Sequence, residues 1–131
     1  MKNGFTVSTI LPATPEQVFK AWLSSGGHAA MTGSPAKVEP RVGGAFTAWD
    51  GYIFGKTLEV KPYSRILQAW RTTEFPEDSQ DSKLEILLEP AHGGTKITLK
   101  HTDIPEGQAD GYKTGWEDFY FKPMKKYFGT E

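Results

Sequence analysis

The chain has 131 residues, which is enough for one domain that buries roughly two thirds of its unfolded surface. Its 15 Lys and Arg against 16 Asp and Glu leave a net charge of −1, so no overall field draws it to nucleic acid or to an anionic membrane. The absence of cysteine excludes disulfides, thiol catalysis and Cys-ligated zinc. Residues Met1 to Val7 do not resemble a signal peptide, and no apolar run reaches membrane-spanning length. We therefore expect a cytoplasmic protein that neither binds nucleic acid nor inserts into a membrane.

The first predicted elements are a strand and a helix. Alternation over Phe5–Leu11 predicts a strand with every second side chain on one face. The helix is expected to begin at Thr14-Pro15-Glu16-Gln17, because Thr14 can cap it, Pro15 suits the first turn and Gln17 can complete a capping box. We expect the helix to end at Ser24-Ser25-Gly26-Gly27, so that His28 marks the end of this first helical segment. A short helical turn is expected over His28–Met31. The apolar stripe of the helix consists of Val18, Phe19, Trp22 and Leu23.

From Ala36 onward the pattern is typical of strands. Six are predicted, over Ala36–Pro40, Ala45–Trp49, Tyr52–Val60, Ile66–Thr73, Lys83–Glu89 and Thr95–Thr102. Their connections carry Gly, Pro, Asp and Ser and are too short for crossover helices, so the strands must be mostly antiparallel. Leu84, Ile86 and Leu88 alternate with charged residues, which indicates that one face of the sheet is exposed to water. Asp103–Asp110 is predicted to be a loop.

The last stretch, Tyr112–Phe128, predicts a long helix with an unusually aromatic face. At about 100° per residue that face holds Tyr112, Trp116, Phe119, Tyr120, Pro123, Met124 and Tyr127. Such a face needs a broad concave surface to lie against, so we expect the sheet to curl around the helix. Trp and Tyr side chains fill an aliphatic surface imperfectly, which makes a void between helix and sheet plausible. Pro123 cannot bond to the Phe119 carbonyl and is predicted to kink the helix.

Several motifs, in this order and spacing, resemble a known family. They are Val18-Phe19-Lys20-Ala21-Trp22, Gly43-Gly44-Ala45-Phe46, Gly55 with Glu59-Val60 and Pro62, Trp70-Arg71, and Gly115-Trp116 before the aromatic helix. The family is the carboxy-terminal domain of the Aha-type activator of the heat-shock chaperone ATPase with its bacterial stand-alone relatives, within the START-like, helix-grip superfamily. The resemblance covers roughly residues 5–129.

The resemblance implies an α+β helix-grip fold, in which a curved antiparallel sheet of about six or seven strands wraps around a long C-terminal helix. One or two short helices follow the first strand, and an apolar cavity is often enclosed. We expect a single domain over residues 1–131, since 131 residues is the length of one domain. In the eukaryotic activator a separate amino-terminal domain does most of the ATPase stimulation, and we do not expect this chain to carry that domain's function. The family shares no established active site, so no catalytic residue, metal or cofactor is carried over.

Ten residues are the candidates for lining a cavity. They are Phe46, Gln68, Trp70, Leu84, Ile86, Leu99, His101, Trp116, Tyr120 and Met124. For the helix residues Trp116, Tyr120 and Met124, ordinary core is the favoured alternative to pocket lining. Gln68 is buried if Ile66 and Trp70 face inward, in which case its amide needs a ligand, a water or a neighbouring side chain as partner. The opposite parity makes Gln68 a surface residue.

The titratable residues give little support for catalysis. His101 continues an inward-facing set and is interpreted as a hydrogen-bonded core residue rather than as a base or ligand. His92 is expected to be solvated, and three scattered His without Cys have no metal-ligand spacing. Glu59 could be a buried acid with a raised pKa or an exposed strand carboxylate, because the facing of its strand is ambiguous.

Three hypotheses for function remain. The first is a module that binds a small hydrophobic molecule between sheet and helix. The second is a protein that interacts with a heat-shock chaperone. The third is an enzyme acting on a hydrophobic substrate, for which Gln68, Glu59 and His101 are the only polar candidates. A monomer or a weak dimer is expected.

Overall fold

The computed structural model describes residues 3–129. Residues 1–2 and 130–131, the ends of the predicted domain, lie outside the described residues, as do the first two positions of the amino-terminal stretch compared with a signal peptide. The elements in chain order are β1 (Asn3–Leu11), α1 (Pro15–Trp22), α2 (Ser25–Thr32), β2 (Lys37–Val38), β3 (Ala45–Ala48), β4 (Ile53–Lys61), β5 (Arg65–Thr72), β6 (Ser82–Ala91) and β7 (Gly94–Ile104). The C-terminal helix, 109–129, follows in three consecutive parts: α3 (Ala109–Gly115), a π-helical part (Trp116–Phe121) and α4 (Lys122–Gly129).

The seven strands form one antiparallel sheet in the order β1-β7-β6-β5-β4-β3-β2. The sheet curves around the C-terminal helix, so the predicted α+β helix-grip fold is confirmed. The predicted strand bounds agree with the structure to within two residues at each end. Two predicted connections are shorter than expected, because β6 extends to Ala91 and because the loop before the C-terminal helix spans only residues 105–108. No helix within the described range 3–129 has the length and apolar character needed to cross a membrane.

The predicted capping box at the start of α1 is present. The Thr14 hydroxyl accepts from the Gln17 amide at 3.1 Å, and the Thr14 amide donates to the Gln17 side chain at 2.8 Å. This exchange satisfies two amide groups that the first turn of a helix leaves without partners.

The prediction that Ser24–Gly27 ends the first helix is confirmed, and the same segment begins a second helix. Helix α1 does end at Trp22, but Ser24 caps a second helix, α2, by accepting from the Gly27 amide at 3.1 Å. His28 therefore lies inside α2 and not at the end of the first helix. Gly27 allows α2 to begin so soon after α1, because a Cβ at this position would lie 2.8 Å from the Ala21 Cα.

A β-bulge explains why the facing of β4 could not be read from alternation. The pairing of β4 with β5 shifts register between Thr57 and Glu59, so the inward parity changes within the strand. Ile53 and Thr57 are buried before the bulge, whereas Leu58 and Glu59 are exposed. Of the two alternatives for Glu59, the exposed strand carboxylate is therefore the correct one.

The buried face of the C-terminal helix differs from the predicted one. Phe119 and Tyr127 were expected to be covered but are 57% and 43% exposed, whereas Phe121, which was not placed on that face, is fully buried. The π-helical part is the reason, because its wider turn places residues five apart, such as Trp116 and Phe121, on the same side.

Pro123 accounts for the position of this wider turn. It has no amide to donate to the Phe119 carbonyl, and the helix adapts just before it: the Lys122 amide donates to the Glu117 carbonyl, five residues back. The structure thus shows a local change of helix type where the sequence predicted a kink.

Candidate functional site

A pocket of about 410 Å³ opens between the first half of the C-terminal helix and the β3–β5 side of the sheet. Its lining consists of Trp49, Tyr52, Ile53, Trp70, Gly111, Tyr112, Gly115, Trp116, Phe119 and Tyr120. Seven of these ten residues are aromatic, two are glycine and one is aliphatic. The volume lies within the range of small-molecule sites, roughly 300–1,000 Å³.

Two residues of the C-terminal helix line the pocket with their rings and direct their polar ends into the core. The Trp116 indole nitrogen donates to His101 Nδ1 at 3.1 Å. The Tyr120 hydroxyl contacts His28 Nε2 at 2.7 Å. Because these donors are already bonded, Trp116 and Tyr120 present carbon surface to the pocket.

His101 is held as a neutral ring by a chain of three hydrogen bonds. Its Nδ1 accepts from Trp116, so its Nε2 carries the proton and donates to the Ser82 hydroxyl at 2.8 Å. Ser82 in turn donates to the Trp70 carbonyl at 2.7 Å. Burial lowers the pKa of His101 to about 3. The prediction of an inward-facing, hydrogen-bonded core histidine is confirmed.

His28 holds Tyr120 in the same way but in the opposite tautomer. Its Nδ1 lies 2.9 Å from the Trp22 carbonyl and must donate to it, so Nε2 accepts from the Tyr120 hydroxyl. Burial lowers the pKa of His28, against the hydrogen bond to the Trp22 carbonyl, and burial raises the pKa of Tyr120. Sequence reasoning missed this role, because the eight-residue helix that carries His28 has two glycines and little apolar periodicity.

Polar groups meet at the rim of the pocket. The Tyr112 hydroxyl donates to the Gln108 side chain at 2.6 Å and accepts from the Thr72 hydroxyl at 2.7 Å. The Tyr52 hydroxyl donates a hydrogen bond to the Glu74 carboxylate. Burial raises the pKa of Tyr52 and that of Tyr112, so both phenols keep their protons at neutral pH.

Trp49 forms one wall of the pocket from a strained turn. Trp49 has a φ of 53° and Asp50 a φ of 57°, a left-handed conformation that bulky residues rarely adopt. The Trp49 ring lies 5.5 Å from the ring of Phe119, at 68°. Its buried indole nitrogen has no hydrogen-bond partner among the described residues. Such strain is found preferentially at ligand-binding and active sites.

Three of the ten predicted lining residues, Trp70, Trp116 and Tyr120, line this pocket. The other seven are buried but are not among its lining residues: Phe46, Gln68, Leu84, Ile86, Leu99, His101 and Met124. Sequence reasoning missed Trp49, Tyr52 and Ile53, and it placed Tyr112 and Phe119 on the helix face without proposing them as lining. The signal that could have found Trp49 and Tyr52 is their position beside the turn Asp50-Gly51, opposite the aromatic helix.

Gln68 faces inward between Ile66 and Trp70, and its amide is satisfied by neighbouring side chains. Its oxygen accepts from the Trp22 indole at 3.3 Å, and its nitrogen donates to the Thr57 hydroxyl at 3.2 Å. The partner of the buried amide is therefore the protein itself, one of the three possibilities considered.

The three polar candidates for catalysis do not meet in the pocket. Gln68 and His101 are committed to core hydrogen bonds, and Glu59 is exposed and pairs with Arg65 at 2.6 Å. His92 is exposed in its turn, as predicted. Within residues 3–129, no group of three or more His, Asp or Glu side chains is arranged to hold a metal ion.

Comparison with known proteins identifies the family. Residues 12–129 match the family described as "Activator of Hsp90 ATPase homolog 1-like protein". The chain is 25% identical over 124 residues to the human "Activator of 90 kDa heat shock protein ATPase homolog 1", covering 95% of this chain and 36% of that protein. The chain thus spans about a third of the length of the curated relatives it matches.

Solved structures show the same fold. A crystal structure of an HSP90 activator from Plasmodium falciparum superimposes with a TM-score of 0.87 at 24% identity, over 96% of each chain. The solution structure of the Aha1 dimer from Colwellia psychrerythraea gives a TM-score of 0.80 at 16% identity, over 98% of this chain and 97% of that one. With the match to the family over residues 12–129, the conclusion is that this chain belongs to the Activator of Hsp90 ATPase homolog 1-like family.

Proposed function

We propose that this domain binds a small, largely apolar molecule in the aromatic pocket beneath the C-terminal helix. The observation that carries the proposal is the lining: seven aromatic side chains surround about 410 Å³ of space at the junction of sheet and helix. Aromatic side chains supply large contact area and little conformational freedom, which suits them to holding a ligand.

The hydrogen bonds around the pocket support the same proposal. Trp116, Tyr120, Tyr112 and Tyr52 all have their polar atoms bonded within the protein. An apolar ligand would therefore leave none of these four donors unpaired, and the Trp49 indole nitrogen is the lining donor without a partner among the described residues. The strained turn at Trp49 adds to this, because the protein holds that ring against the pocket at a conformational cost.

A leucine introduced at Gly115 tests the proposal. Gly115 lines the pocket, and a Cβ there meets nothing closer than a Phe119 ring carbon at 3.8 Å, so a Cβ fits and we expect the rest of a leucine side chain to extend into the pocket. Lys113→Leu, an exposed position on the same helix, is the matched control. Native mass spectrometry of the purified proteins should show a co-purified small molecule on the wild type and on Lys113→Leu, and none on Gly115→Leu.

Two outcomes would count against ligand binding in this pocket. One is a wild-type protein that carries no small molecule and binds none from a cell extract. The other is a small molecule that Gly115→Leu retains as fully as the wild type does, since that ligand would then lie elsewhere.

A second candidate function is interaction with a heat-shock chaperone. It is favoured by membership of the family and by the names of the relatives, which are activators of a 90 kDa heat-shock protein ATPase. The chain matches only 36% of the length of the human relative, so the activity of that whole protein need not reside in this part of it. The test is a pull-down of the 90 kDa chaperone from the same cell, with the chaperone ATPase rate measured with and without this domain.

Gly115→Leu also separates the two candidates. A chaperone bound through the outer surface should bind this variant as well as it binds the wild type, whereas the small molecule should be lost. No complex at micromolar concentration, together with an unchanged ATPase rate, would dispose of the chaperone role. For both candidate functions we also predict a single domain over residues 1–131, a cytoplasmic location and a monomeric or weakly dimeric state.

A further inference from the structure

We propose that the molecule bound in the pocket presents a compact organic cation, such as an alkylated ammonium group, to the aromatic lining. This inference rests on the proposed ligand-binding function and names the chemical class of the ligand. Its basis is the combination of ring surfaces, the absence of basic residues from the lining, and one carboxylate at the rim.

The lining is aromatic rather than simply apolar. Ile53 is its one aliphatic side chain, beside seven aromatic ones and two glycines. None of the ten lining residues is Lys, Arg or His. The face of an aromatic ring carries negative partial charge and attracts cations, most strongly when water is excluded. A lining without a basic side chain offers no counter-charge to an anionic ligand.

The lining rings that contact one another are inclined at 45° to 80° and form the walls of an aromatic box. The Trp70 and Tyr112 rings lie 5.1 Å apart at 80°, and the Trp49 and Phe119 rings lie 5.5 Å apart at 68°. A group in the pocket therefore meets ring surface from more than one direction. This geometry suits a roughly spherical cation better than a flat ring system, which pairs best with parallel walls.

Glu74 places a negative charge next to this box. Its exposed carboxylate accepts the hydrogen bond of Tyr52, so it lies one hydrogen bond from a lining ring. The first turn of α3 also borders the pocket, and the partial positive charge of a helix start would oppose a cation there. Asp110 lies in that turn and offsets this charge.

The test compares choline with 3,3-dimethylbutan-1-ol, in which a neutral carbon replaces the charged nitrogen of the same shape. Binding is followed by NMR titration of the tryptophan indole signals, with sodium chloride added to the alcohol series to match ionic strength. Since single cation–π contacts contribute measurably and several rings act together, choline should bind at least about fivefold more tightly than the alcohol.

The possible results distinguish a failure of the cation inference from a failure of the proposed ligand-binding function. If the alcohol binds as tightly as choline or more tightly, the cation inference is wrong and binding of apolar molecules in the pocket stands. If neither compound binds at millimolar concentration, while the protein also carries no co-purified molecule, both the inference and the proposed function fall.

Two substitutions locate the source of any preference for the cation. Glu74→Gln keeps an acceptor for the Tyr52 hydroxyl but removes the charge, and Glu77→Gln makes the same change at an exposed position outside the lining. Phe119→Leu keeps an apolar side chain at an exposed position, so folding is not at risk, but removes a ring. Glu74→Gln and Phe119→Leu should each weaken choline binding about threefold or more while the alcohol is little changed. Equal loss for Glu77→Gln would overturn the role of Glu74.

Discussion

At the residue scale, two neutral imidazoles hold two aromatic residues of the pocket lining in place. His101 holds Trp116, and His28 holds Tyr120, each through a ring nitrogen that accepts a hydrogen bond. Both rings can accept only while they are neutral, and burial lowers the pKa of each. The positions of Trp116 and Tyr120 in the pocket lining therefore depend on two histidines that lie behind them in the core.

Replacing His101 by leucine should destabilise the fold by about 2 kcal/mol or more, because the Trp116 indole is left buried without an acceptor and Ser82 loses its donor. Urea denaturation measures the change. The same replacement at exposed His92 is the control and should change stability by no more than about 0.5 kcal/mol. Equal effects at the two positions would show that the hydrogen bonds of His101 contribute nothing.

The lowered pKa of His101 also predicts how stability depends on pH. The folded-state pKa is about 3 and the ordinary value is 6.5, so between these pH values the unfolded chain binds more protons than the folded one. The contribution of His101 to stability is therefore complete above pH 6.5 and is lost as the pH falls toward 3. Denaturation midpoints across this range should fall less steeply for His101→Leu than for the wild type. Parallel curves would contradict the assignment.

At the element scale, the sequence predicted the features that follow the regular period of a helix or strand. It did not predict the features that interrupt that period. The strands and the capping box at Thr14 could be predicted, because alternation and capping act over a few neighbouring residues. The exposure of Phe119 could not, since it follows from a π-helical turn that breaks the assumed 100° step. The facing of Glu59 was undecided for the same kind of reason, a bulge within β4.

Helix α2 offers a test of why two glycines are found in its first turn. Gly26→Ala meets nothing within 4 Å and should stabilise the protein by about 0.4–1 kcal/mol, because alanine restricts the unfolded chain. Gly27→Ala should destabilise it, because its Cβ would lie 2.8 Å from the Ala21 Cα and 3.0 Å from the Ala21 carbonyl oxygen. Thermal denaturation of the two variants measures the difference. Changes of the same sign would mean that the close packing of α1 on α2 is not what requires glycine.

At the scale of the whole molecule, the first half of the C-terminal helix and the β3–β5 side of the sheet leave a pocket between them. Strand alternation and the helical period indicate which residues point inward, and all ten predicted cavity residues are buried. This periodicity does not show where the inward-facing residues of the sheet and of the helix leave a space between them. That place is set by the turn at Trp49 and by the register of the helix against β4 and β5, which depend on contacts distant in sequence. Only Trp70, Trp116 and Tyr120 of the predicted set therefore line the pocket.

The central claim is that a small molecule binds in the pocket beneath the C-terminal helix, and the indole N–H signals of the four tryptophans test it most directly. A fragment screen by NMR, using small organic amines and neutral aromatic molecules, provides the ligands. We expect fragments that bind to shift the Trp49 and Trp116 signals, which come from the pocket lining, and to leave the Trp22 signal in place because Trp22 is buried outside the lining. Binding that moves none of the lining signals, or a screen in which no fragment binds, would contradict the account.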